Sequence, residues 1–177
     1  MRARTTTPHT ELEIYQGQFG EFTITSADRQ GVVIYRAGLM VAALSFALGT
    51  GLVLMQGATP SVLFALSLLY TCFVLALAVS LWTIHIYMAA LHRALQAFLA
   101  IGAVASLVIA HASPDPFALT VYTQPLSILG VGFTFAALTG IFFKEAFCFN
   151  RVETKLLTPI VPTLLIGHLL GILPLSV

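Results

Sequence analysis

An all-α fold is what this sequence predicts: a polytopic transmembrane helix bundle of about five spans behind a short N-terminal cytoplasmic segment. Three observations predict it. Only 8% of the residues are charged and 58% are hydrophobic, whereas soluble domains carry about a quarter charged residues. Uncharged apolar runs of membrane-spanning length recur along the chain, among them residues 125–143 and 158–174. The eight Lys and Arg residues cluster on the N-terminal side and in the second and fourth links, with none in the first and third loops. Several spans of about 20 residues fit in 177 residues, without room for a second sizeable domain. The predicted division is therefore residues 1–33 as the N-terminal segment and 34–177 as the membrane domain.

Within the first segment, Tyr15-Gln-Gly-Gln-Phe-Gly-Glu-Phe-Thr-Ile-Thr25 has two glycines and then a β-favouring tract, which predicts a turn and a short strand near the membrane face. Met1 to Thr10 are polar, with no short apolar segment and cleavage pattern behind them, so no removable signal peptide is expected. Ser26 or Asp28 is suited to cap the helix that follows. The first span is predicted over 35–55, with Tyr35 as an interfacial aromatic and Arg36 as a snorkelling cation. Ala43, Ala47 and Gly51, four apart, would leave a shallow groove for a neighbour.

Gln56-Gly-Ala-Thr-Pro60 predicts a tight turn. From Ser61 to His111 there is no proline and one glycine, Gly102. A single helix of that length would measure about 77 Å, against a hydrocarbon core of about 30 Å. A break is therefore required, and polarity returns at His85 to Arg93, giving spans over 61–84 and 94–110. His111-Ala-Ser-Pro-Asp-Pro116 ends the third span, and a loop is expected up to Gln124. Span four, 125–143, carries a second small-residue stripe of Gly132, Ala136 and Gly140. Span five, 158–174, is expected to open with Thr158 as cap and Pro159 at its first position, with Gly167 and Gly171 as a packing pair. Under the positive-inside rule the N-terminus and both charged links face the cytoplasm, or the stroma in a plastid.

The fourth link concentrates five of the fifteen formal charges in twelve residues, 144–155. If the helix continued through it, Lys144, Cys148, Arg151 and Lys155 would share one face. With Glu145 and Glu153 beside them, these residues are the candidate surface for a partner or an anionic lipid. The plainer reading is a snorkelling rim in which the glutamates balance charge. Cations around Cys148 would favour its thiolate, while Phe147 and Phe149 would equally bury it as an inert thiol.

His85 and His92 would share a helical face, but two turns separate them by about 10 Å, too far for one zinc ion. His168 lies within span five, where an ionisable group is costly. His168 and His85 are therefore the candidate ligands of a haem or chlorophyll, against the simpler role of a hydrogen bond to a neighbouring helix. No charged residue falls inside the five predicted cores, which argues against a proton relay or carboxylate-coupled transporter. No nucleotide-binding loop, nucleic-acid module or metal cluster is evident, and no cofactor is specified.

Three stretches carry a family resemblance: residues 15–25, Gly140-Ile-Phe-Phe-Lys-Glu-Ala-Phe-Cys-Phe-Asn-Arg-Val-Glu-Thr-Lys155, and Leu157-Thr-Pro-Ile-Val-Pro162 through Gly167-His168. Through them nearly the whole chain resembles the uncharacterised integral membrane proteins of domain of unknown function 2301. Residues 143–149 are the most specific part. The resemblance implies a cyanobacterial or related photosynthetic setting, and hence a cytoplasmic (inner) or thylakoid membrane. It supplies no activity. Relatives often continue with a further hydrophobic segment after the position of Gly171, whereas this chain stops at Val177. The expected function is non-enzymatic binding of membrane lipid, another membrane protein or a pigment–protein complex. A small-molecule transporter or channel and a haem- or chlorophyll-binding protein are the alternatives.

Overall fold

The computed structural model describes residues 14–17, 20–84, 89–149 and 152–170. It opens on an antiparallel hairpin of β1 (Ile14–Gly17) and β2 (Gly20–Thr23), two strands where the sequence suggests a turn and one. Gln16 and Glu21 face each other in register, and Gln16 Nε2 donates to Glu21 Oε1 at 2.6 Å.

Helix α1 (Ser26–Gln56) begins well before the apolar run at Tyr35. Thr25, rather than Ser26 or Asp28, is its cap: extended backbone at Thr25 lets its Oγ1 accept from Asp28 N at 3.2 Å while Asp28 Oδ2 accepts from Thr25 N at 2.9 Å. Thirty-one residues make a helix of about 46 Å, longer than a hydrocarbon core of about 30 Å. An apolar run thus marks only the immersed part of a helix. Gly57 ends α1 at a φ of 67°, a backbone region that favours glycine, and its N–H donates to Val53 O at 2.9 Å. Thr59 then precedes Pro60, which takes the first position of α2 (Pro60–Thr83), where its missing N–H costs nothing.

Helix α3 (Ala89–Ala112) follows the predicted break and absorbs His92 and Arg93, which the sequence assigns to the link. The expected loop up to Gln124 contains a short helix, α4 (Phe117–Thr123), packed against α2, α3 and α5. Thr120 secures it: the residue is buried, and its hydroxyl donates to Ser113 Oγ at 2.9 Å. Helix α5 (Pro125–Phe149) extends past the predicted span by more than a turn. Helix α6 (Val152–Leu169) corrects the expectation of a start at Thr158, because Pro159 and Pro162 lie inside it. Its first six residues, 152–157, come before the expected start, so the link itself supplies the beginning of the helix.

Two close helix pairs organise the bundle. On α1 the buried residues are Tyr35, Gly38, Ala42, Ser45 and Gly49, spaced three and four apart as in a coiled-coil seam. This corrects the expected groove of Ala43, Ala47 and Gly51: Ala43 and Ala47 are exposed, and a Cβ added at Gly51 would meet nothing within 4 Å. Against α1 lies α2, so close at Gly38 that an added Cβ would stand 2.8 Å from Ala76 O. That approach lets Ser80 Oγ donate to Tyr35 O at 3.1 Å as well as to Ala76 O at 3.0 Å. The second pair is α3 with α5, where Leu95, Leu99, Gly102 and Ser106 meet Val131, Thr134, Ala137 and Ile141. Of the predicted α5 stripe, Gly140 packs on Leu95, while Gly132 and Ala136 are half-buried. Phe73, Leu77, Leu81 and Ile84 of the α2 segment join the two pairs in one core with Leu95, Leu99, Ala137 and Ile141.

Among the described residues, four helices are long and apolar enough to cross a membrane: α1, α2, α3 and the Pro125–Glu145 part of α5. The chain is thus an all-α polytopic membrane protein.

Candidate functional site

Tyr35 and Arg36 are neighbours on α1, so the helix turns them about 100° apart. Tyr35 enters the bundle and is 8% exposed. Its hydroxyl donates to Glu145 Oε1 on α5 at 2.8 Å, across 110 residues of sequence. Lys144 Nζ donates to the same oxygen at 2.9 Å and stands 5.6 Å from the centroid of the Tyr35 ring, within cation–π range. Both ionised side chains are partly buried, at 17% and 24% exposure. Phenol, carboxylate and ammonium thus tie α1 to α5 at the end of the bundle where α1 begins.

Arg36 turns the other way. It stands at one end of a groove of about 620 Å³ between α1, α2 and α5. From there the walls are apolar except for Thr139: Leu39, Met40 and Ala43 on one side, Leu138 and Phe142 on the other. Thr139 turns its hydroxyl back on its own helix, donating to Phe135 O at 2.9 Å. At the inner end Phe46, Phe73 and Phe135 form a partition, with centroids 6.5, 6.2 and 5.5 Å apart pairwise. Beyond it lies a second cavity of about 400 Å³, reaching Gly49 and Val53 of α1 and Phe117 and Val121 of α4. No acidic partner of Arg36 occurs among the described residues. Chemically, the arrangement is an apolar slot with a cation at its mouth, and it contains no nucleophile with an adjacent base.

The candidate residues of the charged link are divided by the structure. Lys144 and Glu145 meet each other and Tyr35. Cys148 falls in the last turn of α5, and Glu153 and Lys155 in the first turns of α6; their side chains lie outside the described residues, as does Arg151 altogether. Two helices packed on each other take the place of the single face expected through 144, 148, 151 and 155. Gly167 is half-buried on α6, and Gly171 lies outside the described residues. So does His85, and so does the side chain of His168. His92 has a definite role: its Nε2–H donates at 2.7 Å to Leu81 O, a carbonyl in the last turn of α2.

Sequence reasoning missed the pairing of Tyr35 with Glu145 and the groove beside Arg36. The available signal was a tyrosine opening the first span and a glutamate closing the fourth, two ends that the basic-residue count places on one side.

This geometry defines a class, the polytopic helical membrane proteins with a lateral apolar groove between spans. More narrowly, the chain belongs to the uncharacterized integral membrane protein family DUF2301, which matches residues 79–177. The matched region contains the stretch 143–149, whereas residues 15–25 lie ahead of it. No curated protein and no solved structure matches the chain.

Proposed function

We propose that this protein is a non-enzymatic lipid-binding membrane protein that holds an anionic amphiphile in the groove between α1 and α5. One observation carries the reading: an apolar groove of about 620 Å³ that has Arg36 at its mouth. An acyl or prenyl chain matches Leu39, Met40 and Leu138, and a phosphate or carboxylate matches the guanidinium, which forms paired hydrogen bonds with either. The Lys144–Glu145–Tyr35 cluster keeps α1 and α5 at a fixed separation beside the mouth. In this reading the N-terminus and the link 144–155 face the cytoplasm, where anionic headgroups and basic residues meet.

The test is lipid retention in nanodiscs that mix phosphatidylglycerol with phosphatidylcholine. One basic residue near anionic headgroups contributes about 1 kcal/mol, so Arg36→Gln should lower the phosphatidylglycerol preference about fivefold. Ala43→Phe, which fills the groove from an exposed position, should remove tightly held lipid of both kinds. Phosphatidylglycerol retention unchanged in both variants would overturn the proposal.

A further inference from the structure

A separate cavity of about 240 Å³ lies between α2 and α3, bordered by Phe117 of α4, and it is lined by Ser67, Tyr70, Thr71 and Ser106. The protons of all four hydroxyl groups are committed elsewhere. Ser67 Oγ donates to Leu63 O at 3.1 Å, Thr71 Oγ1 to Ser67 O at 2.9 Å and Ser106 Oγ to Gly102 O at 2.7 Å. With the Ser106 proton on Gly102, the 2.8 Å contact between Tyr70 and Ser106 has the phenol as donor. The 3.1 Å contact between Tyr70 and Thr134 then has Thr134 donating to the phenol oxygen. A hydroxyl oxygen that has donated its proton still accepts through its lone pairs. The cavity therefore presents acceptors and no donors.

We infer that this cavity binds the head of a neutral long-chain alcohol, whose single O–H supplies the donor that the lining lacks and whose chain leaves between α2 and α3. The alternatives meet a mismatch here. An anion faces lone pairs, a cation finds no countercharge in the lining, and an ester or ketone finds no donor. The volume suits a headgroup with one end of its chain, and the exposed Thr71, Leu75 and Leu107 at the rim open the cavity to lipid. Tyr70 and Thr71 fall in the middle of α2, so the donor is recognised by a direct bond in hydrocarbon rather than through water.

The experiment compares a diazirine-bearing fatty alcohol with its methyl ether, in nanodiscs of phosphatidylcholine containing the full chain, with crosslinks mapped by mass spectrometry. The alcohol should label the segments 67–75 and 103–110 about three- to fivefold more than the ether, the discrimination that one hydrogen bond supplies in a membrane interior. Thr71→Val, which keeps shape at an exposed site, should reduce that preference, and Ser67→Ala with Thr71→Val should reduce it further. A thermal midpoint within error of the wild type for Thr71→Val shows that the change is local. Equal labelling by alcohol and ether, labelling confined to other segments, or a preference intact in the double variant would each overturn the inference.

Discussion

Gly102→Ala is expected to lower the thermal midpoint of the detergent-solubilised protein, although alanine favours a helix interior by about 1 kcal/mol over glycine. An added Cβ would stand 2.6 Å from Thr134 N and 3.1 Å from Thr134 Cα. Those are backbone atoms of α5 and cannot rotate away. Ordinary carbon contacts of 3.5–4.0 Å would then require α3 and α5 to part by about 1 Å. Parting them loosens the contacts of Gly140 with Leu95 and of Gly130 with Ala105, and it stretches the hydrogen-bonded chain from Thr134 through Tyr70 to Ser106. Overpacking of this kind costs about 1–3 kcal/mol, more than the propensity gain. Gly102→Leu should abolish recovery of monodisperse protein. The control is Gly51→Ala on α1, where the added methyl meets nothing within 4 Å, so only the propensity gain remains and stability should hold or rise. Fluorescence-detected size-exclusion chromatography after heating measures all three. A Gly102→Ala protein as stable as Gly51→Ala would mean that the α3–α5 approach is not tight.

The same glycines show where sequence reasoning succeeds and stops. Hydrophobicity is a property of composition, so the membrane runs and the break near His85 are legible. Which face of a helix meets another is a property of a pair. On α1, small residues occur both at 43, 47 and 51 and at 38, 42, 45 and 49; in lipid, apolar side chains are equally at home on either face. The second set is the one that meets α2, with Gly38 against Ala76 O and Ser80 Oγ reaching Tyr35 O across the seam, contacts between segments distant in sequence. Polar extensions are hidden for a different reason. The apolar pattern ends at the membrane surface, while α1 continues back to Ser26 and α6 to Val152. Lys144 and Glu145 are conspicuous as charges in an apolar chain, but the groove beside them draws its walls from three helices and has no local signature.

Glu145→Ala is expected to destabilise the protein by about 1–3 kcal/mol, mainly by removing the acceptor that the Tyr35 hydroxyl reaches across to α5. Two donors converge on Glu145 Oε1, the Tyr35 phenol at 2.8 Å and Lys144 Nζ at 2.9 Å. The ion pair is the smaller share: both members are partly exposed, and such pairs contribute about 0–1 kcal/mol. The bond from the phenol is the larger share, because it comes from a residue only 8% exposed. Glu145→Gln keeps an acceptor oxygen for Tyr35 and should cost clearly less than Glu145→Ala. Tyr35→Phe leaves the ring beneath Lys144 and removes only the donor, so Tyr35→Phe combined with Glu145→Ala should be no worse than Glu145→Ala alone. The resulting coupling in a double-mutant cycle should be about 1 kcal/mol or more. Because this contact joins α1 to α5 next to Arg36, Glu145→Ala should also lower phosphatidylglycerol retention without altering any groove-lining residue. Strictly additive losses for Tyr35→Phe and Glu145→Ala would show that the bond between Tyr35 and Glu145 contributes nothing to stability. Phosphatidylglycerol retention would then be independent of Glu145.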